Sequence, residues 1–543
     1  MMPPPGRDLP GGSGGPGGSA TLPLPPEIEW RTPLALLARN ARANPNRLGL
    51  VAASAEGGEM RLSFAAFAFA VDKAAVVLAG AGLRRGEHLG ILMTNAAAAE
   101  YLLIALGAMR LGAVVVPLNT RFALPELVAA VEDMDCAMLA HEAALQGPAA
   151  ALAEAVPRIA GRILRVGPGG GWAAALAEAR PAGYPFPEID ENDLADILLT
   201  SGTTGRAKGV MLSHANAVAV GIAVAGGLDL GPQDTYQSPF PLFTSSGFHF
   251  NVMAALWAGA TLVVEPAVDL PATLARMTRE RTTVYCAVPA VFIFMLDAHD
   301  PTHHDLSAMR VFDYGGAPMA REVIRRLART FPHVELRQTY GLTEAGPTGT
   351  FLAGRDALRK LGSLGRPMPL CDVRVMRPDL TEAAPGEMAE IVMRGPAIAR
   401  GYWGRPDATA EAFHDGWLWT GDLGQMDDEG YLYYLDRGKD VIIRGGFNIT
   451  SMEVENAIFE HPAIREVAVI ALPHDRLGED VCAVVVLRDP DLVPAIDDLR
   501  AFAAARIADY KVPRHWHFVA ELPRNPTGKV LKTALRQMLR GGA

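Results

Sequence analysis

From residue 27 to about residue 361, hydrophobic patterns with helical spacing alternate with short apolar runs rich in β-branched residues. The apolar runs, which predict strands, cover 89–93, 113–118, 261–265, 283–289 and 310–316. Longer segments with helical spacing, such as 99–112 and 271–280, lie between them. This alternation predicts parallel sheets whose two faces are covered by helices.

The pattern changes near residue 362. From 362 to 435, Gly and Pro divide short strand-like runs, which favours a small antiparallel barrel or sheet. After Arg437, strand and helix patterns form a further unit of roughly one hundred residues, a normal domain size. We therefore predict an α/β protein. Its large N-terminal lobe (27–435) has helix-covered sheets and a β-barrel-like subdomain, and a smaller α+β C-terminal lobe covers 436–543.

The N-terminal segment 1–26 is mostly Pro, Gly and Ser, so we expect a flexible tail. It offers no apolar stretch for a signal peptide. No later segment has the run of about 18 apolar residues that predicts a membrane span. The sequence therefore predicts a soluble protein.

Composition narrows the class of protein. A chain of 543 residues, half of them hydrophobic, exceeds the roughly 100–200 residues of one domain, so we expect several lobes and a deep cleft. Lys and Arg total 50 against 60 Asp and Glu, and this net charge of −10 gives no support to a nucleic-acid binder. The four cysteines lie far apart, which argues against a disulfide scaffold or zinc ribbon and favours a reducing, cytoplasmic location.

The segment LLTSGTTGRAKGVMLSH (198–214) is the strongest candidate for chemistry. A strand-like run enters a stretch rich in glycine and hydroxyl residues, and a helix is predicted to begin near Ser213. Glycines allow backbone N–H groups to face an anion, hydroxyls donate hydrogen bonds, and Lys208 adds positive charge, as a polyphosphate requires. The order Lys208–Gly209 differs from a Walker loop, and a plain surface linker does not need this order. The candidate residues are Thr200, Ser201, Gly202, Thr203, Thr204, Gly205 and Lys208.

The run TSGTTGRAKGV closely resembles the phosphate loop of the acyl-adenylate-forming enzymes, which include acyl-CoA synthetases, adenylation domains and luciferases. The resemblance covers nearly the whole chain from Glu27, because further motifs occur in the family's order. These are GGAP (315–318), QTYGLTEAG (338–346), GWLWTGDLG (416–424), DRGKDVIIRGG (436–446) and PRNPTGKVLK (523–532). Each motif alone would also suit a solvated turn, and together they are specific.

The resemblance implies a nucleotide site built from these motifs. Tyr340 would lie against the adenine, Thr343 would contact the α-phosphate, and Glu344 would hold Mg²⁺ together with Thr204. A ring, a hydroxyl and a hard oxygen suit these tasks. Asp422 would accept the ribose hydroxyls and Arg437 would reach the ribose. The adenine and acyl sites would be lined by Gly315, Gly316 and Ala317.

The resemblance also implies a mobile small lobe. Lys439 occupies the pivot position of a hinge near 436–439. Lys529 matches the family's mobile catalytic lysine, so Lys529, Glu344 and Thr343 are the predicted catalytic residues. Gly445 and Gly446 would border the CoA pantetheine arm.

Three departures limit what the resemblance implies. Thr244 stands where the family often has a His that gates the acyl pocket, and we expect nearby His249 to be a buried, hydrogen-bonded core residue. Thr450–Ser451 replaces a frequent Tyr–Pro, which bears on the approach of CoA. Ala207 replaces a usual proline, so the phosphate loop has more conformational freedom.

The leading hypothesis is an ATP-dependent acyl-CoA synthetase that adenylates a hydrophobic carboxylic acid and transfers the acyl group to CoA, with Mg²⁺ as the metal. Medium- or long-chain fatty acids are favoured, and aryl acids come next. The candidate pocket residues are Phe243, Phe248, Phe250 and Tyr314, each of which also suits ordinary core packing.

Other hypotheses remain open at the sequence level: an adenylating enzyme that loads a carrier protein, a non-catalytic nucleotide-binding scaffold, and a luciferase-like oxygenase. A scaffold would be expected to lose Glu344, Asp422 or Lys529, and all three are present. The expected partners are the small-molecule acid and CoA, without nucleic acid, and a homodimer is left open.

Overall fold

The computed structural model describes residues 19–200, 206–317, 319–524 and 530–540, apart from the side chains of Lys439 and Arg540. In chain order, its strands are β1 Leu48–Ala53, β2 Glu59–Ser63, β3 His88–Leu92, β4 Val114–Pro117, β5 Cys136–Glu142, β6 Ile163–Val166, β7 Leu194–Thr200, β8 Lys208–Ser213, β9 Thr235–Ser238, β10 Thr261–Val264, β11 Val284–Ala287, β12 Val311–Gly315, β13 Glu335–Gly341, β14 Gly349–Leu352, β15 Arg366–Pro367, β16 Asp372–Met376, β17 Ala389–Arg394, β18 Phe413–His414, β19 Trp417–Met426, β20 Leu432–Arg437, β21 Ile442–Arg444, β22 Phe447–Ile449, β23 Ile464–His474, β24 Gly478–Leu487 and β25 His515–Phe518.

The α-helices of the described residues are α1 Pro33–Ala43, α2 Phe64–Gly80, α3 Ala98–Arg110, α4 Leu124–Asp133, α5 Gln146–Ala155, α6 Trp172–Glu178, α7 His214–Leu228, α8 Ala254–Ala258, α9 Leu270–Glu280, α10 Pro289–Ala298, α11 Arg321–Thr330, α12 Pro406–Ala412, α13 Ser451–Phe459, α14 Ile496–Ala504 and α15 Lys532–Arg540. A π-helical segment, Ser246–Met253, leads into α8. Within the described ranges, no helix is both long and apolar enough to cross a membrane.

Two mostly parallel sheets form the body of the large lobe. One has the strand order β15-β14-β13-β12-β11-β9-β10-β1-β2 and the other β6-β5-β3-β4-β7-β8. The inner strands pair in parallel, and antiparallel strands β2, β14, β15 and β8 occupy the edges. The mixed α/β fold predicted from the alternation of strand and helix patterns is therefore confirmed.

Helix α3 shows why these sheets pack together. Its residues from Ala98 to Met109 are all buried, and it joins α2, α7 and strands of both sheets in one hydrophobic cluster. A helix that is apolar on all sides is expected to be covered on all sides.

The remaining strands form two smaller sheets. One is an antiparallel sheet of strands β16, β17, β19, β18 and β20. The short strand-like runs of 362–435, divided by Gly and Pro, predicted such a sheet. Strands β21 to β25 make a separate sheet covered by α13 and α14, with its own hydrophobic cluster. The chain passes from one sheet to the other between Arg437 and Ile442, where the sequence predicted the hinge.

Part of the predicted tail is folded. Ala20 and Leu24 are buried, Thr21 pairs with Gly395, and the Thr21 hydroxyl donates to the Ala399 carbonyl at 3.0 Å. Residues 19–26 therefore belong to the packed molecule, which corrects the expectation of a tail that extends to residue 26. The other residues of that segment, 1–18, lie outside the described residues.

Candidate active site

The carboxyl ends of neighbouring parallel strands bring the predicted nucleotide motifs together. Strand β12 ends at Gly315, which lies beside Thr339 of β13. The residues after β13 reach the segment after β9, where the hydroxyl oxygens of Thr343 and Ser245 are 2.9 Å apart. In open α/β sheets, ligands bind in the crevice beyond the carboxyl ends of the strands.

Tyr340, Asp422 and Arg437 form one polar cluster, although Tyr340 comes from the nine-stranded sheet and the other two residues come from the antiparallel sheet. The Tyr340 hydroxyl donates to Asp422 Oδ2 at 2.7 Å, and Arg437 Nε is 3.1 Å from Asp422 Oδ1. Burial and the Asp422 carboxylate raise the pKa of Tyr340 well above its usual value, so this hydroxyl keeps its proton. Burial alone would lower the pKa of Arg437, but Asp422 and other acidic groups raise it overall. The cluster thus holds a charged carboxylate–guanidinium pair beside a neutral phenol.

The phosphate motif begins a β-hairpin rather than a direct strand-to-helix turn. Strand β8 pairs antiparallel with β7, with Thr200 opposite Lys208, and the Thr200 hydroxyl donates to the Lys208 carbonyl at 3.4 Å. Lys208 and Gly209 therefore lie on a strand, which corrects the expectation that they belong to the loop. Helix α7 begins at His214 with Ser213 as its N-cap, as predicted. The predicted residues Ser201, Gly202, Thr203, Thr204 and Gly205 lie outside the described residues.

Tyr402 connects Lys208 with Glu344. The Lys208 ammonium lies 4.7 Å from the centre of the Tyr402 ring, a cation–π contact. The Tyr402 hydroxyl donates to Glu344 Oε1 at 2.8 Å. Burial and the Glu344 charge raise the Tyr402 pKa, and Arg437 opposes this shift. Lys208, Glu344 and Arg437 therefore act within one electrostatic environment.

Tyr402 was missed at the sequence level. It belongs to the run RGYWG, whose composition carries no charge pattern or metal-ligand spacing. Its position depends on the antiparallel bridge between Val210 and Tyr402, which joins residues nearly two hundred positions apart. Such a contact has no local signal in the sequence.

The glycine segment after β12 has a packing reason as well as the predicted ligand role. A Cβ at Gly315 would lie 2.7 Å from Thr339 Oγ1, and Gly316 has a φ of +76°, which favours glycine. Ala317 follows half-buried. Only a residue without a side chain fits Gly315 in this strand pair.

A buried carboxyl group lies directly behind that segment. Asp313 of β12 is fully buried, accepts a hydrogen bond from the Thr339 hydroxyl at 3.1 Å and contacts the Cys286 thiol at 2.9 Å. Burial raises the pKa of Asp313 to about 6, although these hydrogen bonds oppose the shift. Asp313 is a second residue that the sequence did not single out.

The region around Thr244 is packed rather than open. The Thr244 hydroxyl donates to the Pro241 carbonyl at 2.7 Å and accepts from the Gly247 N–H, so it stabilises the turn into the π-helix. His249 is fully buried and its Nε2 is 2.8 Å from Asp196 Oδ2, which confirms the expected hydrogen-bonded core histidine. Among the pocket candidates, Phe248 and Tyr314 are fully buried in hydrophobic clusters, while Phe243 and Phe250 are 8% and 5% exposed.

The C-terminal motifs are only partly described. Gly445 and Gly446 form the exposed turn between β21 and β22, with φ values of +58° and +89°. Lys439 lies in a 3₁₀ turn, Gly438–Asp440, and its side chain is outside the described residues, as is all of Lys529. The thiols of Cys136, Cys286, Cys371 and Cys482 are free.

Two surface cavities of the described residues lie away from this site. A cavity of about 570 Å³ is lined by residues of α2 and of the segment 184–187, and a smaller one by residues of the antiparallel sheet around Trp417. Neither lining set includes a predicted site residue.

Comparison with models of protein families shows which family the chain belongs to. The model of the AMP-binding enzyme family matches residues 37–403, and the model of the AMP-binding enzyme C-terminal domain matches residues 453–529. The chain belongs to the AMP-binding enzyme family. It is an AMP-forming carboxylic acid–CoA ligase.

Individual relatives and a solved structure agree with this assignment. The chain is 35% identical over 509 residues to the long-chain-fatty-acid–CoA ligase FadD13 of Mycobacterium tuberculosis, with 92% of this chain and 97% of that protein covered. It is 36% identical over 500 residues to a feruloyl-CoA synthase of Amycolatopsis sp., with the same shares covered. The crystal structure of ATP-bound MatB from Rhodopseudomonas palustris superimposes with a TM-score of 0.84 at 31% identity, covering 94% of this chain and 99% of that one.

Proposed function

We propose that this ligase activates a hydrophobic carboxylic acid, with medium- or long-chain fatty acids as the favoured class. The observation that carries the proposal is the convergence of Lys208, Glu344 and Arg437 around Tyr402. Adenylation of a carboxylic acid requires cations beside the anionic nucleotide, together with a carboxylate that binds the metal ion. The likeness to FadD13 supports a fatty acid.

An aryl acid is the second candidate. The similar feruloyl-CoA synthase supports it at nearly the same identity. The aromatic side chains of Phe243 and Phe250, which flank the Thr244 turn, suit either a flat ring or an alkyl chain. The acyl class is therefore the point that the experiment below must decide.

The polar residues described above, which come from several strands, fit ATP by their chemistry. Asp422 supplies a carboxylate for the ribose hydroxyls, Arg437 a fixed guanidinium, and Tyr340 a ring for the adenine. Lys208 supplies a cation at the end of the hairpin where the phosphates would lie. These are the roles that the family resemblance implies.

Glu344 is the described residue best suited to hold Mg²⁺. Its carboxylate is half-buried and accepts one hydrogen bond from Tyr402. Mg²⁺ commonly binds through one or two carboxylates together with substrate phosphates, and the ion would neutralise part of the triphosphate charge. The predicted second contact, Thr204, lies outside the described residues.

The reaction takes two steps. The acid's carboxylate oxygen attacks the α-phosphorus of ATP and pyrophosphate leaves, which gives a mixed anhydride with AMP. The CoA thiol then loses its proton and attacks the acyl carbonyl, and AMP leaves with the electron pair. Lys208 and Lys529 would lower the electrostatic cost of bringing a carboxylate to a triphosphate. Catalysis then consists mainly of positioning and charge stabilisation.

A panel of carboxylic acids in a pyrophosphate-release assay, with and without CoA and with and without Mg²⁺, tests the proposal. We expect release with medium- and long-chain fatty acids, and a thioester only when CoA is present. In a Lys529→Ala variant, ATP–pyrophosphate exchange should be lost while thioester formation from supplied acyl-adenylate is kept. Preference for aryl acids would replace the fatty-acid assignment, and thioester transfer only to a carrier protein would replace CoA. Cytoplasmic location and a homodimer stay predictions.

A further inference from the structure

The C-terminal helix α15 is attached to α13 by a partly buried lysine. Lys532 Nζ is 2.9 Å from Glu455 Oε1 and also donates a hydrogen bond to the Ser451 hydroxyl. The side chains of Lys532 and Glu455 are each 20% exposed, and Ser451 is buried. Glu455 also accepts the Val469 N–H at 2.8 Å, so the group is connected to β23. This cluster places a positive charge beside the first turn of α13.

The cluster extends to Asp436, on the other side of the predicted pivot. Asp436 is 3% exposed, and its Oδ2 accepts the Ser451 N–H at 2.6 Å. Its Oδ1 accepts the Arg437 N–H at 2.8 Å. Asp436 belongs to β20, whereas Ser451 and Lys532 come after Lys439 in the chain. Rotation at Lys439 would therefore change the distance between Asp436 and Ser451.

Electrostatic interactions favour this arrangement of Asp436, which precedes the predicted pivot, and Lys532, which follows it. Burial alone would lower the pKa of Lys532, but the carboxylates of Glu455, Asp436 and Asp440 raise it overall, so Lys532 is a cation. A second ion pair, Arg536 with Asp440 at 2.7 Å, fixes α15 beside the residue that follows the pivot. Partly buried ion networks add little net stability but can select one arrangement over others.

The arrangement held by these contacts leaves the predicted CoA strip in solvent. Gly445 and Gly446 are exposed, and so are Ile443 and Phe447 on either side of them. A state in which this strip lines the thiol channel would need the small lobe to turn. The contacts of Asp436 with Ser451 oppose that turn.

We propose that Lys532 is a positioning residue that acts through Ser451 and Asp436 to hold the small lobe in the arrangement for the adenylation step. This inference rests on the proposed two-step function. Lys532 follows Lys529 by three residues, so the same contacts fix the beginning of the helix next to the predicted catalytic lysine. The role is distinct from contact with substrate.

The test uses Lys532→Gln in the full-length enzyme, with Lys511→Gln as a matched control. Lys511 also pairs with a glutamate of α13, Glu453, at 2.7 Å. Both of these residues belong to the small lobe. We expect Lys532→Gln to lower ATP–pyrophosphate exchange at least about tenfold, equivalent to roughly 1.4 kcal/mol. Thioester formation from supplied acyl-adenylate should be unchanged or faster, and Lys511→Gln should leave both steps near the wild-type rate.

Further variants separate positioning from folding. Lys532→Arg, which keeps the charge, should recover part of the exchange activity. Asp436→Asn, which weakens the acceptor without removing it, should show the same division between the two steps and serves if Lys532→Gln fails to fold. Equal loss of both steps, or exchange at the wild-type rate in Lys532→Gln, would overturn the inference. Absence of exchange in the wild-type enzyme with every acid would instead refute the proposed function.

Discussion

At the residue scale, the buried Asp313 predicts a specific dependence of stability on pH. Its pKa is raised from the usual 3.8 to about 6 because the carboxyl is buried, so the folded state binds its proton more tightly than the unfolded state. This tighter proton binding adds to the free energy of unfolding. The contribution is fully present below pH 4 and is lost as the pH rises through 6. Two pKa units correspond to roughly 3 kcal/mol.

The measurement is denaturant unfolding of the wild type and of Asp313→Asn between pH 4 and 7.5. The amide cannot ionise, so the free energy of unfolding of the wild type relative to the variant should fall by up to about 3 kcal/mol across this interval. The Asn variant should also keep its place beside Thr339, since an amide can accept the same hydrogen bond. Parallel pH profiles for the two proteins would show that folding does not raise the pKa of Asp313.

Individual residues differ in how far the sequence could predict their surroundings. Tyr340, Asp422 and Arg437 belong to recognisable motifs, and the structure brings all three into contact. Tyr402 and Asp313 were missed because their partners are set by the order of strands and not by neighbouring sequence. The burial and hydrogen bond of His249 could be predicted because a lone histidine in an apolar run needs a partner in the core.

At the element scale, the hairpin of β7 and β8 fixes the position of Lys208. Gly209 is buried, and a Cβ there would lie 2.2 Å from Met134 Sδ and 2.6 Å from Ile197 Cγ2. Gly209→Ala should therefore force the hairpin away from α4 and lower the free energy of unfolding by about 1–3 kcal/mol. Because Lys208 precedes Gly209, the KM for ATP should rise as well.

The control for this prediction is Gly147→Ala in α5. A Cβ at Gly147 meets no atom within 4 Å, so stability and the KM for ATP should stay at wild-type values or improve slightly. Thermal unfolding and initial-rate kinetics measure both effects. A Gly209→Ala enzyme with unchanged unfolding temperature would mean that Met134 moves aside freely.

Elements defined by apolar periodicity could be predicted, and elements defined by distant pairing could not. The runs 89–93 and 283–289 match the observed β3 and β11 to within two residues at each end, because buried parallel strands are continuously apolar. The predicted phosphate loop included Lys208 and Gly209, but pairing with β7 makes them part of strand β8. Residues 19–26 were likewise assigned to a tail, although Ala20 and Leu24 pack against partners from other parts of the chain.

At the scale of the whole molecule, the two lobes meet where charges from both sides accumulate. Arg437 ends the last strand of the antiparallel sheet and lies against Asp422, while Asp440, three residues on, binds Arg536 of α15. Phe459 of α13 packs against a hydrophobic cluster of the large lobe. The short segment between Arg437 and Asp440 therefore separates contacts that belong to each lobe, which is the arrangement a pivot requires.

This arrangement predicts opposite effects of two substitutions at Lys439. The residue lies in a 3₁₀ turn, whose φ values are close to the value that proline imposes, so Lys439→Pro should fit the present arrangement and restrict rotation away from it. Since Gly445 and Gly446 are exposed here, we expect adenylation to be kept and thioester formation from supplied acyl-adenylate to fall about a hundredfold, as for a misplaced reacting group. Lys439→Ala leaves φ free and should keep both steps. Equal thioester rates in the Pro and Ala variants, measured by single-turnover kinetics, would remove Lys439 from the pivot and place the rotation elsewhere in the segment.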